Sequence, residues 1–147
     1  MTAITNNPAA LNLASPKWRL DHVAHAVKNL DEGIAHYRNI FGFEVDIRDT
    51  LAAQGVEAAY LKLSNSKLEL IAPLPGNKSL QAFIERRGEG LHHICFEVPS
   101  VAQELKRLSQ LGVRLINDSP QKGLGNKDIA FMHPHSNFGV LIEICSS

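Results

Sequence analysis

The strongest constraint on this chain is an internal repeat. Asp21-His22-Val23-Ala24-His25-Ala26-Val27 and His92-His93-Ile94-Cys95-Phe96-Glu97-Val98 both read as short strands entered by a histidine. His22 and His93 lie 71 positions apart. At that offset Val23 matches Ile94, Val27 matches Val98, Leu30 matches Val101 and Ile34 matches Leu105. A helical stripe follows each strand. Leu30, Ile34, Tyr37 and Phe41 form one over 29–41, and Val101, Leu105, Leu108 and Leu111 form the other over 100–111. Ser100 with Gln103 makes an S-x-x-Q capping box. Gly42 and Gly112 stand where a left-handed residue stops a helix.

Three strand signals follow each helix: 43–47, 57–63 and 67–71, then 113–116, 128–133 and 140–144. Leu68-Glu69-Leu70 matches Ile142-Glu143-Ile144 at an offset of 74, and the extra positions fit the turn at 134–139. The expected fold class is therefore α+β, built of two tandem βαβββ modules. Module one spans about 18–72, a connecting turn and short helix 73–90, and module two about 91–147. One such module leaves a sheet face uncovered, and two copies can cover each other, so 18–147 is expected to be a single domain. Residues 1–17 are rich in Asn, Ala, Ser and Pro and hold no Lys or Arg before Lys17. They read as a flexible N-terminal arm rather than a secretory or mitochondrial targeting segment.

Composition narrows the function classes. Lys+Arg and Asp+Glu both number 15, so the formal net charge is zero. That balance lacks a nucleic-acid footprint. No apolar run approaches the roughly 20 residues of a membrane span. Neither nucleic acid nor membrane is an expected partner. Cys95 and Cys145 sit in apolar strand-like stretches and read as buried free thiols, which suits a reducing cytoplasm. The sequence has no G-x-S-x-G elbow, Walker loop or C-x-x-C pair.

Strand alternation decides which side chains share a face. His22, Ala24 and Ala26 share one face of the first strand; His93, Cys95 and Glu97 share the matching face of its counterpart. The apolar alternates should pack on the helices. Glu69 and Glu143 each point opposite to their apolar neighbours, and a carboxylate on a covered face is costly unless something neutralises it. Each half thus offers one inward His and one inward Glu. Taken singly, each has an ordinary structural reading: a hydrogen-bonded strand His, or a Glu paired to Arg. Together, at matched repeat positions, His22, Glu69, His93 and Glu143 make a mixed N/O set suited to a divalent first-row cation. His25 reads as a hydrogen-bonded core residue and His36 as solvated. The loop Lys122-Gly123-Leu124-Gly125-Asn126-Lys127 reads either as an anion-lining segment or as a flexible hairpin loop.

These residues resemble the vicinal oxygen chelate (glyoxalase/bleomycin resistance) superfamily. More narrowly, they resemble the methylmalonyl-CoA epimerase family. The carriers are LDHVAHAVKNLDEGIAHYRNIFGF, KLELIAPL, RRGEGLHHICFEV, LGVRLI and FMHPHSNFGVLIEI, which cover about 20–144. The resemblance implies a single domain of that fold and a metal site of His22, Glu69, His93 and Glu143. It implies a divalent ion, Co2+ first, with Zn2+, Mn2+, Mg2+ or Ni2+ as alternatives. It implies interconversion of the (R) and (S) forms of methylmalonyl-CoA by 1,1-proton transfer through a metal-stabilised enolate. Glu143 and Glu69 are the expected catalytic acid/base pair. One departure stands out. Some epimerases carry a second base where Gly55-Val56-Glu57-Ala58 has Ala58, and alternation aims Glu57 at the other face.

The acyl-CoA partner needs cations for its phosphates, for which Lys122, Lys127 and either Arg86 or Arg87 are candidates. His135 stands where the family often has Lys, as a phosphate contact. Glu97, on the His93 face, is a further candidate substrate contact. A homodimer is expected. Two alternatives remain. Glyoxalase I has the same ligand set, but its ending differs from the HP-x-S-x-x-GVLIE found here. A metal-free binding module would lack the full set of four.

Overall fold

The computed structural model describes residues 17–147; all of the expected arm but Lys17 lies outside the described residues. The elements run β1 (Arg19–Ala26), α1 (Leu30–Phe41), β2 (Val45–Leu51), β3 (Val56–Lys62), β4 (Lys67–Pro73), α2 (Lys78–Arg87), β5 (Leu91–Glu97), α3 (Val101–Gln110), β6 (Gln121–Lys122), β7 (Asp128–Met132) and β8 (Ile142–Ser146). Strand, helix and three strands occur twice, with α2 between them. The fold is α+β, as the repeat predicts. Two compact units emerge. One holds His22–His92 with Gly123–Gly125; the other holds the segment ending at Asp21, His93–Lys122 and Asn126–Ser147.

In the first unit β1 pairs in parallel with β4, and β4, β3 and β2 continue antiparallel. Helix α1 starts where the Asn29 side chain accepts the Glu32 N–H at 2.9 Å. It stops at Gly42, whose φ of 73° is the left-handed cap that glycine adopts without strain. Leu30 and Ile34 bury their stripe against Val27, Ala59, Leu61, Leu70 and Ala72. Burying each such Leu or Ile contributes about 1.5–3 kcal/mol. On the opposite sheet face Ala26, Ala58, Tyr60 and Ile71 pack with Leu80 and Ile84 of α2 and with Leu124.

The second unit repeats these connections. β5 pairs in parallel with β8, which continues antiparallel to β7 and then β6. Ser100 Oγ accepts the Gln103 N–H at 3.3 Å, so the predicted cap opens α3. Val101, Leu105 and Leu108 pack on Val98, Ala130, Met132 and Ile144. One expectation fails. Residues 113–116 make no strand and contribute only the bridge from Leu115 to Met132. The short β6 at 121–122 takes the outer place instead. Side chains take the backbone groups a longer ladder would use: Asn117 Oδ1 accepts the Phe131 N–H at 2.9 Å, and Ser136 Oγ accepts the Arg114 N–H at 2.9 Å. In the first module the second strand is longer than expected, running on to Leu51. The 122–127 segment is anchored rather than loose, because Leu124 is buried in the first unit's core. Among the described residues no helix is long and apolar enough to cross a membrane.

His92 gives the fold a pH dependence. Phe83 of α2 meets its ring edge-on at 4.8 Å, and burial, then the Arg87 charge, lowers its pKa from 6.5 to about 4. Above pH 6.5 His92 is neutral in both folded and unfolded chains. Below that, the unfolded chain takes up the proton first, so stability falls as pH drops from 6.5 towards 4. The loss by pH 5 is about 2 kcal/mol. Urea unfolding at pH 7 and pH 5 should show a shallower loss in His92→Gln than in the wild type. An identical loss in both would exclude His92 as the source.

Candidate functional site

In the first unit the parallel register sets His22 against Lys67 and Ala24 against Glu69. His22 and Glu69 therefore rise from neighbouring strands on one face. His22 Nε2 lies 3.8 Å from Glu69 Oε1, and both residues are buried. Tyr60, directly opposite Glu69 on β3, sets its ring at a tilt against His22, with centroids 5.1 Å apart.

The second unit builds the same arrangement. Cys95 stands opposite Glu143, as Ala24 stands opposite Glu69. His93 Nε2 lies 3.3 Å from Glu143 Oε2, again with both residues buried. Phe131, opposite Glu143 on β7, meets the His93 ring edge-on at 5.2 Å. Tyr60 and Phe131 keep the same 71-residue offset as the two histidines. Sequence reasoning passes over these two aromatics, although that offset could have found them.

The donor chemistry fits a divalent ion. Each pair sets an imidazole nitrogen and a carboxylate oxygen face to face. Two ligands held about 2.1 Å from one ion lie about 3.0 Å apart at a right angle and about 3.4 Å apart at a tetrahedral angle. The His93–Glu143 separation falls in that range, and the His22–Glu69 separation is slightly longer. Each pair thus offers two ligands of the kind first-row cations take.

Electrostatics around Glu143 are distinctive. Its pKa is raised to about 8: burial is the largest cause, a hydrogen bond from the Cys95 thiol opposes it, nearby Asp21 adds to the rise, and the charge of Lys127 opposes it. Burial also pushes the Cys95 thiol up, with Cys145 and Glu143 adding to the effect. Cys95 therefore stays a thiol and is not a reactive thiolate. Asp21, which sequence reasoning also passes over, is buried and receives Lys127 Nζ at 3.2 Å.

The remaining candidates sit less centrally. Lys122 Nζ is paired with Asp128 Oδ1 at 2.7 Å, so both lysines of the loop engage carboxylates of the second unit. Glu97 is half-buried opposite Cys145. His135 is exposed, and its backbone N–H donates to His133 Nδ1 at 3.1 Å. Arg86 and Arg87 close the last turn of α2, where Arg87 lies over the Phe83 ring at 5.5 Å. Ala58 is buried among apolar side chains, so no carboxylate occupies that position. His25 Nδ1 meets the Tyr37 hydroxyl at 2.7 Å, the hydrogen-bonded core role expected of it. His36 is exposed.

Residues 21–131 match the family model for the glyoxalase/bleomycin resistance protein/dioxygenase superfamily. The chain belongs to that superfamily. Several methylmalonyl-CoA epimerases are homologous to this superfamily member along most of its length. The ethylmalonyl-CoA/methylmalonyl-CoA epimerase of Cereibacter sphaeroides is 36% identical over 128 residues, which cover 86% of this chain and 96% of the relative. A crystal structure of methylmalonyl-CoA epimerase from Mycobacterium tuberculosis is 32% identical with a TM-score of 0.85, covering 94% of both chains. A solved methylmalonyl-CoA epimerase in complex with methylmalonyl-CoA and NH4+ is 33% identical with a TM-score of 0.84, covering 88% of this chain and 94% of the other.

Proposed function

We propose that this chain is a metal-dependent epimerase that interconverts the (R) and (S) forms of methylmalonyl-CoA. The observation that carries the reading is the pair of buried His–Glu couples at repeat-matched positions, in a chain homologous to methylmalonyl-CoA epimerases. In this proposal His22, Glu69, His93 and Glu143 together hold one divalent ion, with Co2+ the first to test. When bound, the ion supplies Lewis-acid stabilisation of the negative charge that develops on the thioester as the α proton leaves.

The chain's own residues move the proton. A carboxylate removes it from one face, and a second group returns it to the other. Ala58 offers no such group, so Glu143 and Glu69 take the two roles. Both carboxylates are buried. Lys122 and Lys127 border the segment proposed for coenzyme A phosphates, with Arg86 or Arg87 as a further cation and His135 as a further polar contact. Their existing carboxylate partners mean that phosphate binding must exchange one ion pair for another. The named relatives are epimerases, which favours this reading over glyoxalase I. Two buried free cysteines support a reducing compartment such as the cytoplasm. Exposed Ile116, Phe138 and Val140 support a homodimer.

The test is proton exchange. Purified protein with Co2+ should incorporate solvent deuterium at the α carbon of methylmalonyl-CoA while either pure enantiomer racemises. Turnover of a glutathione hemithioacetal without either event would replace this reading with the glyoxalase I one.

A further inference from the structure

We propose that Tyr60 and Phe131 are positioning residues: each aromatic ring sets the plane of the histidine in its own unit, so that the imidazole Nε2 faces the paired carboxylate. The inference rests on the metal reading above and extends it to two side chains outside the proposed ligand set.

The placement occurs twice. In the first unit Tyr60 on β3 is the register partner of Glu69 on β4, and His22 lies on β1 at the far side of β4. The Tyr60 and His22 rings meet across that strand, with centroids 5.1 Å apart and planes tilted by 53°. In the second unit Phe131 on β7 is the register partner of Glu143 on β8, and His93 lies on β5 at the far side of β8. Those rings meet at 5.2 Å, edge-on at 90°. Two strand spacings, about 9.6 Å, separate the backbones in each case. A side chain that restrains an imidazole from there must be both long and rigid. Leucine is too short, and methionine has too many rotatable bonds. The ring recurs between the two modules while the hydroxyl does not, so the shared feature is the ring.

The need is geometric. The torsion that turns an imidazole about its Cβ–Cγ bond is broad, unlike the staggered torsions before it. Turning it would carry Nε2 away from the carboxylate. A fixed neighbour in a close-packed interior blocks that rotation. Tyr60 is itself held: it is 3% exposed and packs with Ala26, Ala58, Ile71, Leu80 and Ile84. The Lys67 ammonium, 4.8 Å from its ring centroid, adds a cation–π restraint. The result is an Nε2 that stands 3.8 Å from its carboxylate in the first unit and 3.3 Å in the second.

Titration of the metal-free full chain with Co2+ alone, followed by its visible absorption, tests the assignment. Removing a group that orients a metal-ligating histidine typically costs about 10- to 100-fold in metal affinity. Tyr60→Leu and Phe131→Leu should each show a loss of that size and an altered Co2+ spectrum. Tyr60→Phe should bind Co2+ as the wild type does. Leu80→Ala, in the same core cluster as Tyr60, should lower the metal-free Tm and keep the wild-type affinity and spectrum. Should Tyr60→Leu not fold, Tyr60→Met keeps the length without the rigid ring and should show the same loss. Wild-type affinity in both leucine variants overturns the proposal. So does a loss in Tyr60→Phe as large as in Tyr60→Leu, which assigns the effect to the hydroxyl, or an equal loss in Leu80→Ala, which assigns it to core packing. Each of these leaves the metal reading standing. A wild type that binds no Co2+ overturns that reading, and this inference with it.

Discussion

Glu143→Gln should slow removal of the α proton from one enantiomer of methylmalonyl-CoA by about 10²–10⁴-fold, the usual range for losing a general base. Exchange of the other enantiomer should change far less. The asymmetry follows from geometry. A base acts on one face of the reacting carbon, and the two faces need two groups. Glutamine keeps an amide oxygen that can still act as a ligand, so metal content should survive better than in Glu143→Ala. In D2O the variant should exchange the proton of one enantiomer without racemising it. Mass spectrometry of recovered thioester, run separately from each enantiomer, reads this directly. Equal loss from both sides, together with loss of metal, would reduce Glu143 to a ligand. The search for the base would then move to Glu97, which shares the His93 face of β5.

Much of this arrangement is legible in the sequence because the repeat supplies two readings of every feature. The offset of 71 aligns β1 with β5 and α1 with α3, and the structure pairs each His with the Glu of its own module. Asn29, Ser100 and Gly42 act locally, through hydrogen bonds within a turn, so their roles need no tertiary information. Partners chosen across long sequence separations are hidden. Lys127 meets Asp21, 106 positions away, and no local pattern announces that pair. The missing strand at 113–116 has the same cause: Asn117 and Ser136 satisfy backbone groups that periodicity alone assigns to a ladder. Tyr60 and Phe131 are hidden differently. An aromatic in an apolar strand reads as core, and its contact with a histidine shows only once the register is known.

His93→Ala should abolish the thermal stabilisation that a divalent ion gives the chain. A ligand present at 100 times its Kd stabilises the folded state by about 2.7 kcal/mol. For a domain of this size that raises Tm by about 5–10 °C. If the proposed ligand set holds, removing His93 should take away this shift, whichever cation is added. The metal-free variant should also be less stable than the metal-free wild type. Glu143 would lose its imidazole neighbour in a buried position; with its pKa raised to about 8 it is largely protonated near neutral pH, so the cost is that of a buried polar group left without its partner, about 1–3 kcal/mol. His36→Ala, at an exposed site on α1, serves as the control and should keep the full response to metal. Scanning calorimetry with and without Co2+ separates the two effects: the metal-free Tm reports the broken pair, and the difference on adding Co2+ reports the site. A His93→Ala variant that keeps the whole upward shift would remove His93 from the ligand set, and with it the symmetry argument that assigns His22 the same role.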